Sequence, residues 1–219
     1  IMPTEKAKLE YSIKAPKNAI ILAAGYGMRM VPINLNTPKA LLEVNGEPLI
    51  ERTIKALHEI GVTQIIIVVG YMKEKFDYLI DEYGVELVVN PDYASKNNIS
   101  SLALVADRIS NSYIIPSDIW CDRNPFDRHE LYSWYMVSDL VDNDSEVRVN
   151  RKMELVKVGD QDGGNAMVGI AYLLEDDAKP IRERIMQAAS SGKHDDDYWE
   201  YYDTAFYKAQ KRVALRNCG

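Results

Sequence analysis

The sequence predicts an α/β fold in which a mainly parallel sheet is covered by helices on both faces. Two observations carry that prediction. Short apolar runs without polar alternation, such as IIIVV at 65–69, fit strands buried on both sides. Between these runs, apolar residues recur at three- and four-residue spacing, as in helices lying on a sheet. The length of 219 residues, with 47% hydrophobic and 27% charged residues, suits one well-buried domain, alone or with a tail. In such sheets ligands bind in the crevice beyond the carboxyl ends of the strands.

The elements follow in order. Residues 1–17 are charged, end in Pro-Lys and read as a tail or as the end of an upstream domain. The domain proper runs over 18–219. Residues 19–23 form a buried strand. Residues 24–38 form a long loop, with Pro32 and Pro38 preventing regular structure. Residues 40–44 are a short extended piece, and Asn45-Gly46 is a turn. Pro48 opens a helix that Gly61 closes, with Leu49, Ile50, Ile54, Leu57 and Ile60 on its apolar face. A strand at 65–69, a helix over 72–83 and a strand at 85–89 come next. Then come a loop, a helix over 101–109 and a strand at 113–116. Later, 134–139, 153–158 and 167–173 read as strands, with DGGN at 162–165 as a turn. Helices are expected over 175–189 and 198–208, and a last strand over 212–216.

Bulk properties exclude several classes. The net charge of −7 disfavours a nucleic-acid partner. The two cysteines, Cys121 and Cys218, form no CxxC pair, so neither a zinc site nor a disulfide framework is indicated, and a reducing cytoplasm fits. No apolar run reaches the length of a membrane span, and the first residues carry no signal-peptide pattern. His58, His129 and His194 have no ligand spacing and read as surface or packing residues.

The stretch LAAGYGMRM at 22–30 follows the first strand. Gly25 and Gly27 let the backbone approach a ligand closely and aim N–H groups at it. Arg29 adds a planar fork suited to phosphate oxygens. The loop lacks the third glycine of a dinucleotide fingerprint and the GK[ST] of a P-loop. Alone, it also reads as a plain tight turn. TPKALLEV at 37–44 adds Lys39, fixed behind Pro38 in a segment expected to return toward the loop, where it would neutralise an anion. A lone lysine elsewhere would be a solvated surface charge.

LAAGYGMRM followed by NTPKALLEVNGEPLIE resembles the nucleotidyltransferase superfamily, whose pattern LAAGxGxR, TPKxL, NxxPLI stands here in order. Met28 departs from the serine or threonine common in relatives. Within that superfamily the sequence resembles the bacterial CTP:phosphocholine cytidylyltransferases through IIIVVGYMKEKFDYL, YGVELVVNPDYASKNNISSL and NSYIIPSDIW. The resemblance implies a Rossmann-like three-layer sandwich with a mixed, mainly parallel central sheet, of the nucleotidyltransferase and GT-A-like type. It implies that Leu22, Ala23, Ala24, Gly25, Gly27, Met28, Arg29, Gly70, Asn98, Ser100 and Ser101 surround the nucleotide, with Lys39, Arg29 and Asp118 catalytic. Asn98 or Ser100 also reads as a helix cap. By the same resemblance, Asp118 holds Mg²⁺, an ion that prefers oxygen ligands and keeps several waters.

The implied substrates are CTP and a phosphorylated amino alcohol. For the acceptor, Tyr198, Trp199, Tyr201 and Tyr202 cluster beside Asp195, Asp196, Asp197 and Glu200, a composition that suits a quaternary ammonium. It also suits an amphipathic helix with a buried aromatic face. Asp197, Tyr198, Trp199 and Glu146 are the acceptor candidates. Relatives often pair an acid with tryptophan where this chain has Glu146-Val147, which leaves room for phosphoethanolamine or 2-aminoethylphosphonate. A sugar 1-phosphate nucleotidylyltransferase and a CTP-sensing module without turnover are the other readings. Relatives carry a second acidic metal ligand near the domain's end, which this sequence lacks up to Gly219. Some relatives are fused to a choline-kinase or winged-helix domain, and membership of such a larger chain would account for both the tail at 1–17 and that missing acid.

Overall fold

The computed structural model describes residues 15–27, 36–143, 145, 147–151, 155–157, 163–199 and 214–217. The expected tail lies almost entirely outside them. Strand β1 (Asn18–Ala23) runs up the middle of the sheet. After the glycine loop, β2 (Glu43–Val44) and β3 (Glu47–Pro48) form a small hairpin. Its turn residues Asn45 and Gly46 take positive φ of 55° and 81°, as a two-residue turn between twisted strands requires. Helix α1 (Leu49–Glu59) then buries Leu49, Ile50, Ile54 and Leu57. It is followed by β4 (Ile65–Val69), α2 (Tyr78–Tyr83), β5 (Glu86–Val89), α3 (Asn98–Ala103) and β6 (Ser112–Pro116). The second half comprises β7 (Trp134–Asp142), a hairpin of β8 (Val147–Val149) and β9 (Leu155–Lys157), β10 (Gly164–Leu173), α4 (Glu175–Ser191) and β11 (Ala214–Asn217).

Among the described residues, seven strands make one sheet in the order β11-β7-β10-β6-β1-β4-β5. β1 pairs in parallel with both β4 and β6, and β4 with β5. β10 is antiparallel to β6 and β7, and β11 is parallel to β7. The sheet is therefore mixed, with β10 alone reversed. Its centre is apolar on both faces: Ile20, Ile21, Ile67, Val68 and Ile114 have no exposed surface. The chain steps from β1 outward through β4 to β5, then returns to place β6 on the other side of β1. Right-handed crossovers in opposite directions put their helices on opposite faces. They also open a crevice between the carboxyl ends of β1 and β6, the topological switch point where ligands bind in open α/β sheets.

Several expected boundaries move. Of residues 40–44, expected to be extended, 40 and 41 belong to a 3-10 turn (Lys39–Leu41), and only 43–44 pair as a strand. The single helix expected over 72–83 is a 3-10 turn (Lys73–Phe76) followed by α2, entered through Met72 in the left-handed region. Phe76 of the 3-10 turn and Leu79 of α2 are both fully buried, so each piece anchors itself in the core. The helix expected at Ser101 begins three residues earlier, because the Asn97 side chain accepts a hydrogen bond from the Asn98 N–H. β7 and β10 are longer than expected, and Gly164 and Asn165, expected in a turn, are already strand. Tyr198 and Trp199 are not helical, and the rest of the helix expected over 198–208 lies outside the described residues.

Candidate active site at the switch point

A cleft of about 900 Å³ opens over the carboxyl ends of β1 and β6. Ala24, Gly25, Tyr26 and Gly27 form one edge, leaving β1 as a loop in which Gly27 takes φ 64°. Lys39 comes from the 3-10 turn behind Pro38. That turn is closed by Leu41 N–H to the Pro38 carbonyl at 2.9 Å and anchored by buried Ala40. The Lys39 Nζ donates to Asp118 Oδ2 at 2.8 Å. Asp118 follows β6, so two charges 79 residues apart meet at the switch point. Their side chains remain 23% and 34% exposed, and each is open to the cleft.

The floor is made where β10 crosses β6. Gly169 takes φ 97°, and a Cβ there would lie 2.8 Å from Pro116 Cγ, so glycine is what lets the strands close up. The β7–β10 register slips on either side of Met167, which turns Met167 and Val168 toward the opening beside Tyr135. The far wall joins Asn97 and Asn98, at the start of α3, to Asp196, Tyr198 and Trp199. Lys96 lies 3.3 Å from Asp92 and 3.8 Å from Asp195. Its hydrogen bond to Asp92, then the Asp195 charge, hold its ammonium above the usual lysine range.

The predicted residues divide into three groups. Leu22, Ala24, Gly25, Gly27, Lys39, Asn98, Ser101, Asp118, Tyr198 and Trp199 all line the cleft. Ala23, Gly70, Ser100 and Asp197 do not. Ala23 is buried in β1. Gly70 lies behind Tyr93, where a Cβ would be 2.5 Å from Tyr93 Cβ and 2.8 Å from the Ala24 carbonyl oxygen. The Ser100 hydroxyl donates to the Asn97 carbonyl at 2.7 Å and accepts from buried Asn90, which also holds the Ser101 hydroxyl. Asp197 meets His194 at 2.7 Å. Met28, Arg29 and Glu146 lie outside the described residues.

Sequence reasoning missed four features of the surroundings. Tyr26 stacks on Tyr71 at 4.1 Å and on Tyr93 at 6.0 Å, an aromatic column beside the glycine loop. Asn90 organises the serines of α3. Tyr135 faces Trp199 at 6.4 Å. Arg52 of α1 donates to the Cys121 carbonyl through Nε at 3.0 Å and through Nη2 at 2.9 Å. It also donates to the Asp122 carbonyl at 2.9 Å and lies 5.0 Å over the Trp120 ring, so it ties down the loop that begins at Asp118. Tyr26 stood in the glycine motif itself, but the others carry no local signal.

A glycine loop, a lysine–aspartate pair at a sheet's switch point and a mixed sheet with one reversed strand define a nucleotide-handling α/β enzyme. Residues 19–121 match the MobA-like NTP transferase domain. The choline-phosphate cytidylyltransferase of Streptococcus pneumoniae is 41% identical over 186 residues, spanning 83% of this chain and 81% of that one. The 2-aminoethylphosphonate cytidylyltransferase of Lancefieldella rimae is 37% identical over 201 residues, spanning 84% and 77%. The solved CTP:phosphocholine cytidylyltransferase of Streptococcus pneumoniae superposes with a TM-score of 0.83 at 36% identity, covering 93% of this chain and 90% of that one. The inositol-1-phosphate CTP transferase of T. maritima, at 21% identity and TM-score 0.63, shares the fold. The chain belongs to the nucleotidyltransferase family, in its cytidylyltransferase branch. Among the described residues no helix is long and apolar enough to cross a membrane.

Proposed function

We propose that the chain transfers CMP from CTP to phosphocholine, giving CDP-choline and pyrophosphate. The observation that carries this reading is the meeting, in one cleft, of the Lys39–Asp118 pair with Tyr135, Tyr198, Trp199 and Asp196. Aromatic faces and a carboxylate attract a quaternary ammonium, and the pair lies where the phosphates would be. An oxygen of the acceptor phosphate attacks the α-phosphorus in line, and the bond to the β-phosphate oxygen breaks. The protein's part is positioning and charge stabilisation. Lys39, already held in place by Asp118, steadies the α-phosphate and the incoming acceptor. Such a solvent-accessible ion pair, its side chains 23% and 34% exposed, is worth only about 0–1 kcal/mol, so exchanging the carboxylate for phosphate oxygens costs little. The glycine-loop amides and Arg29 hold the β- and γ-phosphates.

Asp118 fits a hard divalent cation, proposed to be Mg²⁺. It is an oxygen donor open to the cleft, and among the described residues no group of three acidic, His or Cys side chains could form a full protein cage. Waters and phosphate oxygens would complete the shell. When bound, the ion would neutralise charge on the phosphates. We place the activity in the cytoplasm, where CTP is available.

A second reading, transfer to 2-aminoethylphosphonate, is favoured by the Lancefieldella relative, which spans as much of this chain as the streptococcal one. Pyrophosphate release with CTP and Mg²⁺ separates the two, comparing phosphocholine, phosphoethanolamine and 2-aminoethylphosphonate. Phosphocholine is expected to be the best acceptor, and Lys39→Ala to lower kcat at least ~100-fold. Release only with 2-aminoethylphosphonate would establish the second reading, and release only with phosphoethanolamine would refute both. No release with any of the three would refute both.

A further inference from the structure

Residues 96–98 and 195–199 are almost a hundred positions apart, yet they are laced together along one wall of the cleft. The Asn97 N–H donates to the Asp195 carbonyl at 2.6 Å, and Asn97 Nδ2 donates to the Asp196 carbonyl at 3.1 Å. The Trp199 N–H donates to Asn98 Oδ1 at 2.8 Å. Lys96 and Asp195 add a looser charge contact at 3.8 Å. Trp199 itself is 2% exposed and packs near Tyr135.

From this lacing we infer that Asn98 is a positioning residue of the acceptor subsite and acts through Trp199. Its family motif suggests a nucleotide contact, but here its side-chain oxygen is already committed to the Trp199 main chain. The segment carrying Asp196, Tyr198 and Trp199 has no regular secondary structure. Its place in the wall therefore depends on such tertiary bonds rather than on a helix or strand of its own. A buried N–H deprived of its acceptor is costly, so Trp199 would shift when Asn98 loses its oxygen. The aromatic wall seen by the acceptor would shift with it, while the glycine loop and Lys39, on the opposite edge, would not. The consequence for acceptor binding rests on the transferase reading above.

The test uses the full chain labelled with 5-fluorotryptophan, with the Trp199 fluorine resonance assigned through Trp199→Phe. In Asn98→Ala that resonance is expected to move toward the exposed position. The KM for the acceptor should rise about tenfold, the loss of one such hydrogen bond, with the KM for CTP within about twofold. Asn98→Asp keeps an oxygen that can accept from the Trp199 N–H, and is expected to restore both the resonance and the acceptor KM. An unmoved Trp199 resonance in Asn98→Ala would overturn the inference whatever the activity. So would a rise in the CTP KM instead of the acceptor KM, or a displaced Trp199 with an unchanged acceptor KM. If the wild-type chain turns over no acceptor, the transferase reading fails, and the fluorine signal alone decides whether Asn98 holds Trp199.

Discussion

Replacing Gly70 by alanine tests the close approach on which one wall of the cleft depends. A Cβ at that position would lie 2.5 Å from Tyr93 Cβ, 2.6 Å from Tyr93 Cγ and 2.8 Å from the Ala24 carbonyl oxygen. Carbon atoms pack best at about 3.5–4.0 Å, so something must move by roughly 1 Å. Rotating Tyr93 gives no relief, because its Cβ is fixed to the main chain. The Ala24 oxygen is held too, since it accepts from the Tyr71 N–H at 3.1 Å. Overpacking of this kind costs about 1–3 kcal/mol, and three contacts at once put Gly70→Ala toward the upper end. For a domain of this size each kcal/mol lowers Tm by about 2–4 °C, so a fall of roughly 4–12 °C is expected. Because Ala24 leads into the glycine loop, the KM for CTP should rise several-fold as well. Gly84→Ala is the control: its φ of +68° strains any side chain, but no atom lies within 4 Å. It should lose about 1–2 kcal/mol with the CTP KM unchanged. Differential scanning calorimetry and pyrophosphate-release kinetics read both effects. A Gly70→Ala protein with Tm within about 2 °C of wild type and an unchanged CTP KM would refute the close-approach argument.

Two further predictions concern α1. Arg52→Ala removes three hydrogen bonds to the carbonyls of Cys121 and Asp122 and should loosen the loop that begins at Asp118. A magnesium titration of the rate should then show a higher half-saturation and kcat lower by roughly tenfold, whereas unchanged values would detach Arg52 from the site. Glu51 accepts from Tyr78 at 2.8 Å and Tyr83 at 2.6 Å. Burial raises its pKa, but the two tyrosine hydroxyls and Lys55 outweigh it and hold the carboxyl below its ordinary value. A depressed folded pKa means that the stabilisation is present above the ordinary carboxylate pKa and is lost as pH falls through the folded value. Glu51→Gln should therefore cost about 1–2 kcal/mol at pH 7, with urea midpoints of mutant and wild type converging in the acid range. A gap independent of pH would show that the carboxylate charge plays no part.

The parts of this protein legible in the sequence are those written in consecutive residues. IIIVV at 65–69 is a strand because every side chain in it is buried, and NGEPLI at 45–50 encodes a hairpin turn and a helix start in six residues. The glycine loop, Lys39 and Asp118 were each readable through a local motif, and the sheet order then brings all three to one switch point. What the sequence does not display is any contact whose two halves are far apart and chemically ordinary. Gly70 sits in a motif, yet its constraint comes from Tyr93, 23 residues on, pressing where a side chain would be. Arg52 looks like any charged residue on an amphipathic helix, and only the fold shows that it grips the loop after β6. Asn98 is the sharpest case. An asparagine ahead of a short helix reads equally as a cap or a ligand contact, because both need a side-chain oxygen aimed at an N–H or a base. The cap belongs to Asn97 instead, and the oxygen of Asn98 meets a tryptophan N–H 101 residues away. Pairing of that kind depends on where β6, β7 and β10 place the second half of the chain. A local pattern can nominate such a residue, but only the three-dimensional arrangement can say what it holds.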